Sequence, residues 1–577
     1  MPRVRFDPLI CVFRVDLRSN QTLNEQTFEQ RPEQRIAINS GLLLLAYGFQ
    51  ALVSLVIVGV VARYLGQAGL GRYAFIITFI ELFTAIVDMG MNRILVREIA
   101  RGREDSNRLT SAIWTMRLLL AFIVFVVVAL LAANNGDPYL WLATMAFFVA
   151  QVIYLQGDVL AAMLQGYQRM EYTFWSILIA QILLLTLTLT VVWLNLGLVA
   201  LFSARILANS GRLAYLWWDS RRKNYAQAHF LSGIPAGAGF ALRQSAAAAS
   251  LWRRQGRSAA SRQLNLAGAR AVQRWQDAVL AWQLLIESLP VGVSLLLRSY
   301  IWRAGVVLTV LWLGQEQGDL VNGVLYGPLR VVQQMHILPG AFAAALLPAL
   351  SSRVANRIEE FDVAFAKSLK LFVGLSLLIA LAFTFLAAPI VELLLGSAID
   401  LAAAEQVLAW LGWVIIFYFQ NWLYSVTLVA LGRQKFETIG LAAGLAAGLL
   451  VAWWGIPRFE AMGVVYGILT AEGVLFLVGT AVMWRHFHWR RLLPSLLKLI
   501  AACGAAGLVF LVGNRVWSAL ILAGVAPSGT VGAVLEILAI GAAGLVAFAI
   551  AAWLLRTFDA NEREGIRLML RWQRGKQ

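Results

Sequence analysis

About fourteen stretches of some 20 predominantly apolar residues can be cut from the sequence, and each is long enough to cross a hydrocarbon core of about 30 Å. In lipid no water is at hand to pair a backbone N–H or C=O, so spanning segments are confined to helices and closed barrels. The ten-residue alternating strands of an outer-membrane barrel are absent. The sequence therefore reads as an all-α polytopic membrane protein. Composition excludes a soluble globular domain: 60% of the residues are hydrophobic and 14% charged, with mean hydropathy +0.72, where a soluble chain is about a quarter charged.

The expected spans run near 41–62, 73–95, 111–133, 139–161, 173–194, 197–218, 286–313, 321–350, 368–388, 404–431, 436–455, 461–484, 493–513 and 531–555. Their orientation follows from the loops, because short basic loops stay in the cytoplasm. Arg93, Arg97, Arg101, Arg103 and Arg108 follow span 2, whereas Asn134, Asn135, Gly136 and Asp137 follow span 3. The bias recurs with Arg353, Arg357, Lys367 and Lys370 after span 8, with Arg433 and Lys435, with Arg485, Arg490 and Arg491, and in the tail with Arg563, Arg567, Arg571, Arg574 and Lys576. Even-numbered spans then end inside, and both termini are assigned to the cytoplasm. Residues 1–36 are polar without an apolar leader and read as a cytoplasmic tail. The net charge of +17 is accounted for by these loops and implies no nucleic acid. Cys11 and Cys503 form neither a disulfide framework nor a redox motif.

An internal repeat organises the chain. Gly166-Tyr-Gln-Arg-Met-Glu171 after span 4 is matched by Gly432-Arg-Gln-Lys-Phe-Glu437 after span 10, and Gly197-Leu-Val by Gly463-Val-Val, both 266 residues apart. Leu65-Gly-Gln67 is echoed by Leu313-Gly-Gln315, 248 residues on. The pattern predicts two parallel six-helix lobes with two C-terminal helices appended. The divisions are a tail (1–36), an N-terminal lobe (37–218), a basic cytoplasmic linker (219–283), a C-terminal lobe (284–485), and helices 13–14 with a cytoplasmic tail (486–577). The linker is rich in Ala, Ser, Gln and Arg. It reads as a connecting segment with one surface helix, or as an amphipathic helix on anionic lipid.

Several helix-boundary patterns resemble a known family. Ala62-Arg-Tyr-Leu-Gly66, Gly71-Arg-Tyr73, Asp88-Met-Gly90 and Val96-Arg-Glu-Ile-Ala-Arg101 are similar to the opening of the polysaccharide-unit flippases of the multidrug/oligosaccharidyl-lipid/polysaccharide (MOP) exporter superfamily. Glu287-Ser-Leu-Pro-Val-Gly292, Leu346-Leu-Pro-Ala-Leu350 and Ala388-Pro-Ile-Val-Glu-Leu-Leu-Leu-Gly396 continue the likeness over residues 36–218 and 284–490. The resemblance implies a bacterial-type inner-membrane flippase that moves a prenyl-pyrophosphate-linked oligosaccharide to the outer leaflet for cell-surface polysaccharide assembly. It implies membrane lipids and a coupling ion, Na+ or H+, as partners, and polysaccharide polymerase machinery beside it. This sequence departs from the family in its long linker, and in having Ala304 and Gly305 after Arg303 where an acid often follows.

Ionisable residues at mid-span are costly in lipid and tend to face a water-filled cavity or a partner. Arg298 and Arg303 in span 7 and Arg330 in span 8 have no acid in the central part of either span. They suggest a cationic cavity wall suited to bidentate phosphate contacts, and a lipid pyrophosphate is the anion the resemblance implies. Arg303, five positions from Arg298, points elsewhere on the helix. Glu81 and Asp88 are seven apart in span 2, as are Arg205 and Arg212 in span 6. The economical reading is two interhelical ion pairs, Glu81 with Arg205 and Asp88 with Arg212; the alternative is a coupling-ion site using Asp88. Glu472 in span 12 aligns within one residue of Arg205 in the repeat and is a candidate ion or proton carboxylate. His336 reads as a packing residue before a proton carrier. No catalytic group, metal site or cofactor is indicated, since no Walker sequence, Ser/His/Asp set or Cys/His cluster occurs. A lipid II-type peptidoglycan precursor flippase and a cation-coupled multidrug exporter are the alternatives. The second should line its cavity with carboxylates, and the arginines argue against it.

Overall fold

The computed structural model describes residues 32–102, 106–134, 136–222, 257–340, 342, 358–484, 487, 489–527 and 529–557. Expectations placed on residues 1–31, Arg103, Asn135, the 223–256 part of the linker, the 343–350 end of span 8, Arg353 and Arg357, Arg485, and the tail beyond 557 lie outside those residues. The described residues are helical with no strand among them, and the chain is an all-α polytopic membrane protein.

Spans 1 and 2 form one element, α1 (Pro32–Asp88), broken at Gly66 where φ is 66° and ψ −174°. Only glycine adopts that conformation cheaply. From this turn the two arms run back side by side, so that Val58 and Glu81, and further down Gln50 and Asp88, line one cavity. The same conformation recurs at Gly314 (φ 80°, ψ 172°), between α7 (Arg257–Leu313) and α8 (Gln315–Gln334). The Leu-Gly-Gln repeat is thus one backbone device used twice.

The second repeat behaves differently. Helix α4 (Pro138–Gly166) ends through a left-handed Gln168 (φ 58°) with Arg169 N–H on the Leu164 carbonyl, and α11 (Leu401–Ala430) through Gly432 (φ 67°) with Arg433 N–H on the Leu428 carbonyl. The structural equivalence therefore pairs Gln168 with Gly432, two residues out of register with the sequence match. The left-handed residue that closes the last turn, and not residue identity, sets where a helix ends.

Span 2 breaks at Met89 and Gly90, both with positive φ, and continues as the short amphipathic α2 (Met91–Arg101), which buries Met91, Ile94, Leu95 and Ile99. Spans 3, 5 and 6 are α3 (Ser106–Ala133), α5 (Met170–Trp193) and α6 (Gly197–Arg222). Helix α7 starts at Arg257, inside the stretch read as a linker. Ala281, Leu284 and Leu285 pack it on the apolar cluster of α2, α3 and α4, which explains why the helix runs on past the expected boundary. The rest of the chain is α9 (Ile358–Phe385), the short α10 (Ala387–Leu395), α11, α12 (Gln434–Phe459), α13 (Ala461–Trp484), α14 (Trp489–Leu522) and α15 (Gly529–Leu554).

The helices pack in two groups. Helices α3, α4 and α5 pack on α1 with α6 against α4 and α5, and α9, α11, α12 and α13 close around one another; α14 and α15 pair beside α9 and α10. Helices α7 and α8 touch both groups. Eleven helices among the described residues are long and apolar enough to cross a membrane, the one over 41–101 being folded back at Gly66. Helices α6 and α8 fall short because they carry Arg205 and Arg212, and Asp319, Asn322 and Arg330. Helix α8 is buried along most of its length, and α6 turns Arg205 and Asn209 into the cavity while exposing Leu207, Trp217 and Trp218; neither needs a lipid-compatible surface all round.

Alanine at Gly66 or Gly314 meets no neighbouring atom yet has to hold a conformation costing about 1–3 kcal/mol. Each substitution should lower the unfolding temperature of the detergent-solubilised protein. Gly41→Ala, equally open but in regular helix, should leave it unchanged or raise it slightly.

Candidate functional site

Where α1, α4, α5 and α6 face α7 and α8 lies a polar cavity of about 460 Å³. It adjoins a second of about 240 Å³ lined in part by the same residues, among them Gln50, Asn92, Tyr154 and Asp158. Amides from four helices (Gln50, Gln151, Gln181 and Asn209) make much of the wall, and Glu81, Asp88, Arg205, Arg303 and Arg330 supply charge.

Arg303 of α7 and Arg330 of α8 converge on a carboxylate from another helix. Arg303 Nε donates to Glu81 Oε2 at 2.8 Å, and Arg330 stands 3.8 Å from Glu81 Oε1. Arg303 is further held by Ser299 Oγ at 2.7 Å, and Arg330 lies over the Tyr326 ring. Arg205 donates to the Tyr73 hydroxyl at 2.9 Å and packs against Phe147. Its expected partner, Glu81, is taken by Arg303. Asp88 is likewise not paired with Arg212: it accepts from Arg117 of α3, while Arg212 donates to Asp158 of α4 at 2.7 Å and stacks on Tyr154. Both expected pairings are corrected for one reason. A seven-residue spacing puts two charges on one helix face but does not say which neighbour that face meets. Arg117, Asp158 and Glu437 were not among the residues singled out from sequence, although an ionisable group within a span is the signal that finds such positions.

Arg298 does not line this cavity. It pairs with Glu437 of α12 at 2.9 Å, Ser425 donates to the same carboxylate at 2.6 Å, and the guanidinium lies over Trp422. Arg298 and Arg303, five residues apart, do point in different directions, but it is Arg303 that joins Arg330. Glu472 is fully buried and accepts from Trp302 Nε1 at 2.9 Å and Asn421 Nδ2 at 2.7 Å. His336 stacks on Tyr418 with ring centroids 3.8 Å apart and meets the edge of Trp302. No cluster of three or more His, Cys, Asp or Glu suited to a metal occurs among the described residues.

At the Gly66 end of the bundle the two helix groups are tied together. Arg63 donates to the Leu393 and Leu394 carbonyls at 2.7 and 3.1 Å, satisfying the C-terminus of α10. Gln67 bridges the Leu320 carbonyl and the Asp400 N–H, both at 3.0 Å, and Arg72 pairs with buried Asp319 at 3.0 Å. A Cβ on Gly71 would sit 1.6 Å from the Asp319 carbonyl oxygen, so glycine is what allows α1 and α8 to meet backbone to backbone. At the other end Arg97 pairs with Glu287.

Two family models match the chain, one of a polysaccharide biosynthesis protein over residues 36–242 and the MatE model over residues 330–454. Solved structures share the fold at low sequence identity. Lipid II flippase MurJ in an inward closed conformation superposes with a TM-score of 0.60 at 12% identity, covering 89% of this chain and 98% of that one. An inward-facing multidrug resistance MATE family transporter of the MOP superfamily gives 0.55 at 15%, covering 76% and 95%. A MOP superfamily transporter from Pyrococcus furiosus gives 0.50 at 16%, covering 80% and 98%. The chain shares the fold of the MOP superfamily transporters. No curated protein sequence matches it significantly. It is a multi-pass membrane protein with the fold of a transporter, the first family match covering the helices packed around α1 and the second running from the end of α8 into α12.

Arg117 is fully buried, and its ion-pair partner Asp88 borders the cavity. Breaking a buried pair leaves an uncompensated charge and costs about 3–5 kcal/mol, whereas replacing both partners by apolar groups can be neutral. Asp88→Asn should therefore destabilise the purified protein strongly, and Asp88→Leu combined with Arg117→Met should recover much of the loss, both read by thermal unfolding in detergent.

Proposed function

We propose that this transporter is an alternating-access flippase, carrying a prenyl-pyrophosphate-linked oligosaccharide from the inner to the outer leaflet of a bacterial-type inner membrane for cell-surface polysaccharide assembly. The observation that carries the reading is the convergence of Arg303 and Arg330 on one wall of a polar cavity, with Arg205 on another. Guanidinium groups meet phosphate oxygens through paired N–H donors in a fixed fork, and a cavity of low dielectric strengthens that contact. The amides Gln50, Gln151, Gln181 and Asn209 offer both donors and acceptors to sugar hydroxyls.

With short basic loops inside, the Gly66 end faces outward and the Arg97 end faces the cytoplasm. In this arrangement the outward end is held shut by Arg63, Gln67 and Arg72, and rocking of two lobes, 37–218 and 284–485, passes the head group across while the prenyl chain stays in lipid. An ion gradient, Na+ or H+, supplies the energy, with Asp88 and Glu472 as the carboxylates to examine. Polysaccharide polymerase machinery is the partner that would consume the flipped product. The fold shared with MurJ keeps a lipid II-type precursor as the competing cargo. The arginine wall disfavours cationic drugs.

The test is flipping of lipid-linked oligosaccharides, with lipid II as comparator, by the full chain in liposomes. Losing a charge-assisted contact of about 1.5–3 kcal/mol slows transport roughly ten- to a hundredfold if the contact is made in the rate-limiting state. Arg303→Lys and Arg330→Lys should show that defect with expression intact. Parental rates for both would overturn the anion-site reading, and preference for lipid II would reassign the cargo.

A further inference from the structure

Glu81 sits where an anionic cargo would have to sit. Its two carboxylate oxygens face two guanidinium groups, Arg303 on one oxygen and Arg330 on the other. It comes from α1, packed with the first helix group, whereas Arg303 and Arg330 come from α7 and α8. The side chain lines the cavity and is one-fifth exposed, so it is open to exchange with an incoming ligand. It is the acid of this wall; the other cavity acids, Asp88 and Asp158, are held by Arg117 and Arg212 away from it.

An empty cavity with Arg205, Arg303 and Arg330 unanswered would hold three like charges in a low-dielectric interior, an arrangement that burial penalises heavily. A carboxylate carries the geometry of one face of a phosphate: two acceptor oxygens at the spacing of a guanidinium fork. From this we infer that Glu81 is a resident counter-anion, displaced from Arg303 and Arg330 when the phosphate of the cargo binds and restored when it leaves. Loading thereby breaks a tie between α1 and the α7–α8 pair, and unloading remakes it. The exchange lets the empty carrier reset without moving unpaired arginines. The inference rests on the anion-site reading above and adds to it a residue that acts against affinity and in favour of turnover.

The test uses the full chain in detergent, with inorganic pyrophosphate as the probe and thermal protection as the readout of binding. Glu81→Gln keeps the size and removes the charge, and should bind pyrophosphate at least tenfold more tightly than the parent. Arg303→Ala on that background should abolish the gain. In liposomes the same variant should take up cargo at lower half-saturating concentration but turn over several-fold more slowly, a split that a purely structural role does not produce. Glu81→Asp, shorter by one methylene and still charged, should lie between the two and serves as the variant of choice should Glu81→Gln fail to fold. Binding by the parent with no gain in either Glu81 variant would overturn the inference and leave the anion site standing. No pyrophosphate binding by parent, Glu81→Gln or Glu81→Asp would overturn the anion site and this inference with it.

Discussion

A guanidinium inside a hydrophobic bundle has to meet an acceptor on another helix or open onto water, and the interior of this protein is arranged around that requirement. Arg117 meets Asp88, Arg212 meets Asp158, Arg298 meets Glu437 and Arg303 meets Glu81, in each case across two elements. These pairs are not a source of large net stability, since desolvating two charges offsets most of their attraction. Their effect is on specificity: a helix rotated or slid by one residue would leave a charge stranded, so the pairs select one packing from many that the apolar surfaces alone would accept.

The same requirement sorts the helices by environment. Those that face lipid on one side are apolar enough to be recognised by composition, while α6 and α8 are polar because they face the cavity and the closed Gly66 end. Around α8, glycine and charge cooperate: Gly71 permits backbone contact, and Arg72 on Asp319 and Gln67 on the Leu320 carbonyl then close the seam. Arg205 and Arg330 are carried by these polar helices, whereas Glu81, Asp88 and Arg303 project into the cavity from the apolar spans α1 and α7. A mobile loop is not needed to place them.

Two chemistries share the cavity. Arg303 and Arg330 of α7 and α8 form a cationic wall with Arg205 of α6 on another, and the remainder carries amides and hydroxyls together with the paired acids Glu81, Asp88 and Asp158. A head group with an anionic centre and a hydroxyl-rich portion, as in the cargo proposed above, satisfies both.

Hydropathy was enough to show an all-helical membrane chain, because the hydrocarbon thickness and backbone hydrogen bonding act on each segment separately, whereas the break at Met89–Gly90 and the long N-terminal run of α7 depend on packing. The Leu65-Gly66-Gln67 and Leu313-Gly314-Gln315 turns were legible for a similar reason: a backbone conformation confined to glycine leaves its mark in the residue. That Arg303 and Arg298 leave α7 in different directions also followed from helical periodicity. Which helix each one meets did not, and the expected pairs Glu81 with Arg205 and Asp88 with Arg212 gave way to Arg303 and Arg117. Periodicity fixes the angle of a side chain about its own axis, whereas partner choice depends on the rotation and depth of every neighbouring helix. Those are set only when the whole bundle packs, which is why tertiary structure alone decided that Glu81 meets Arg303 and Arg330 in one cavity while Arg298 pairs elsewhere.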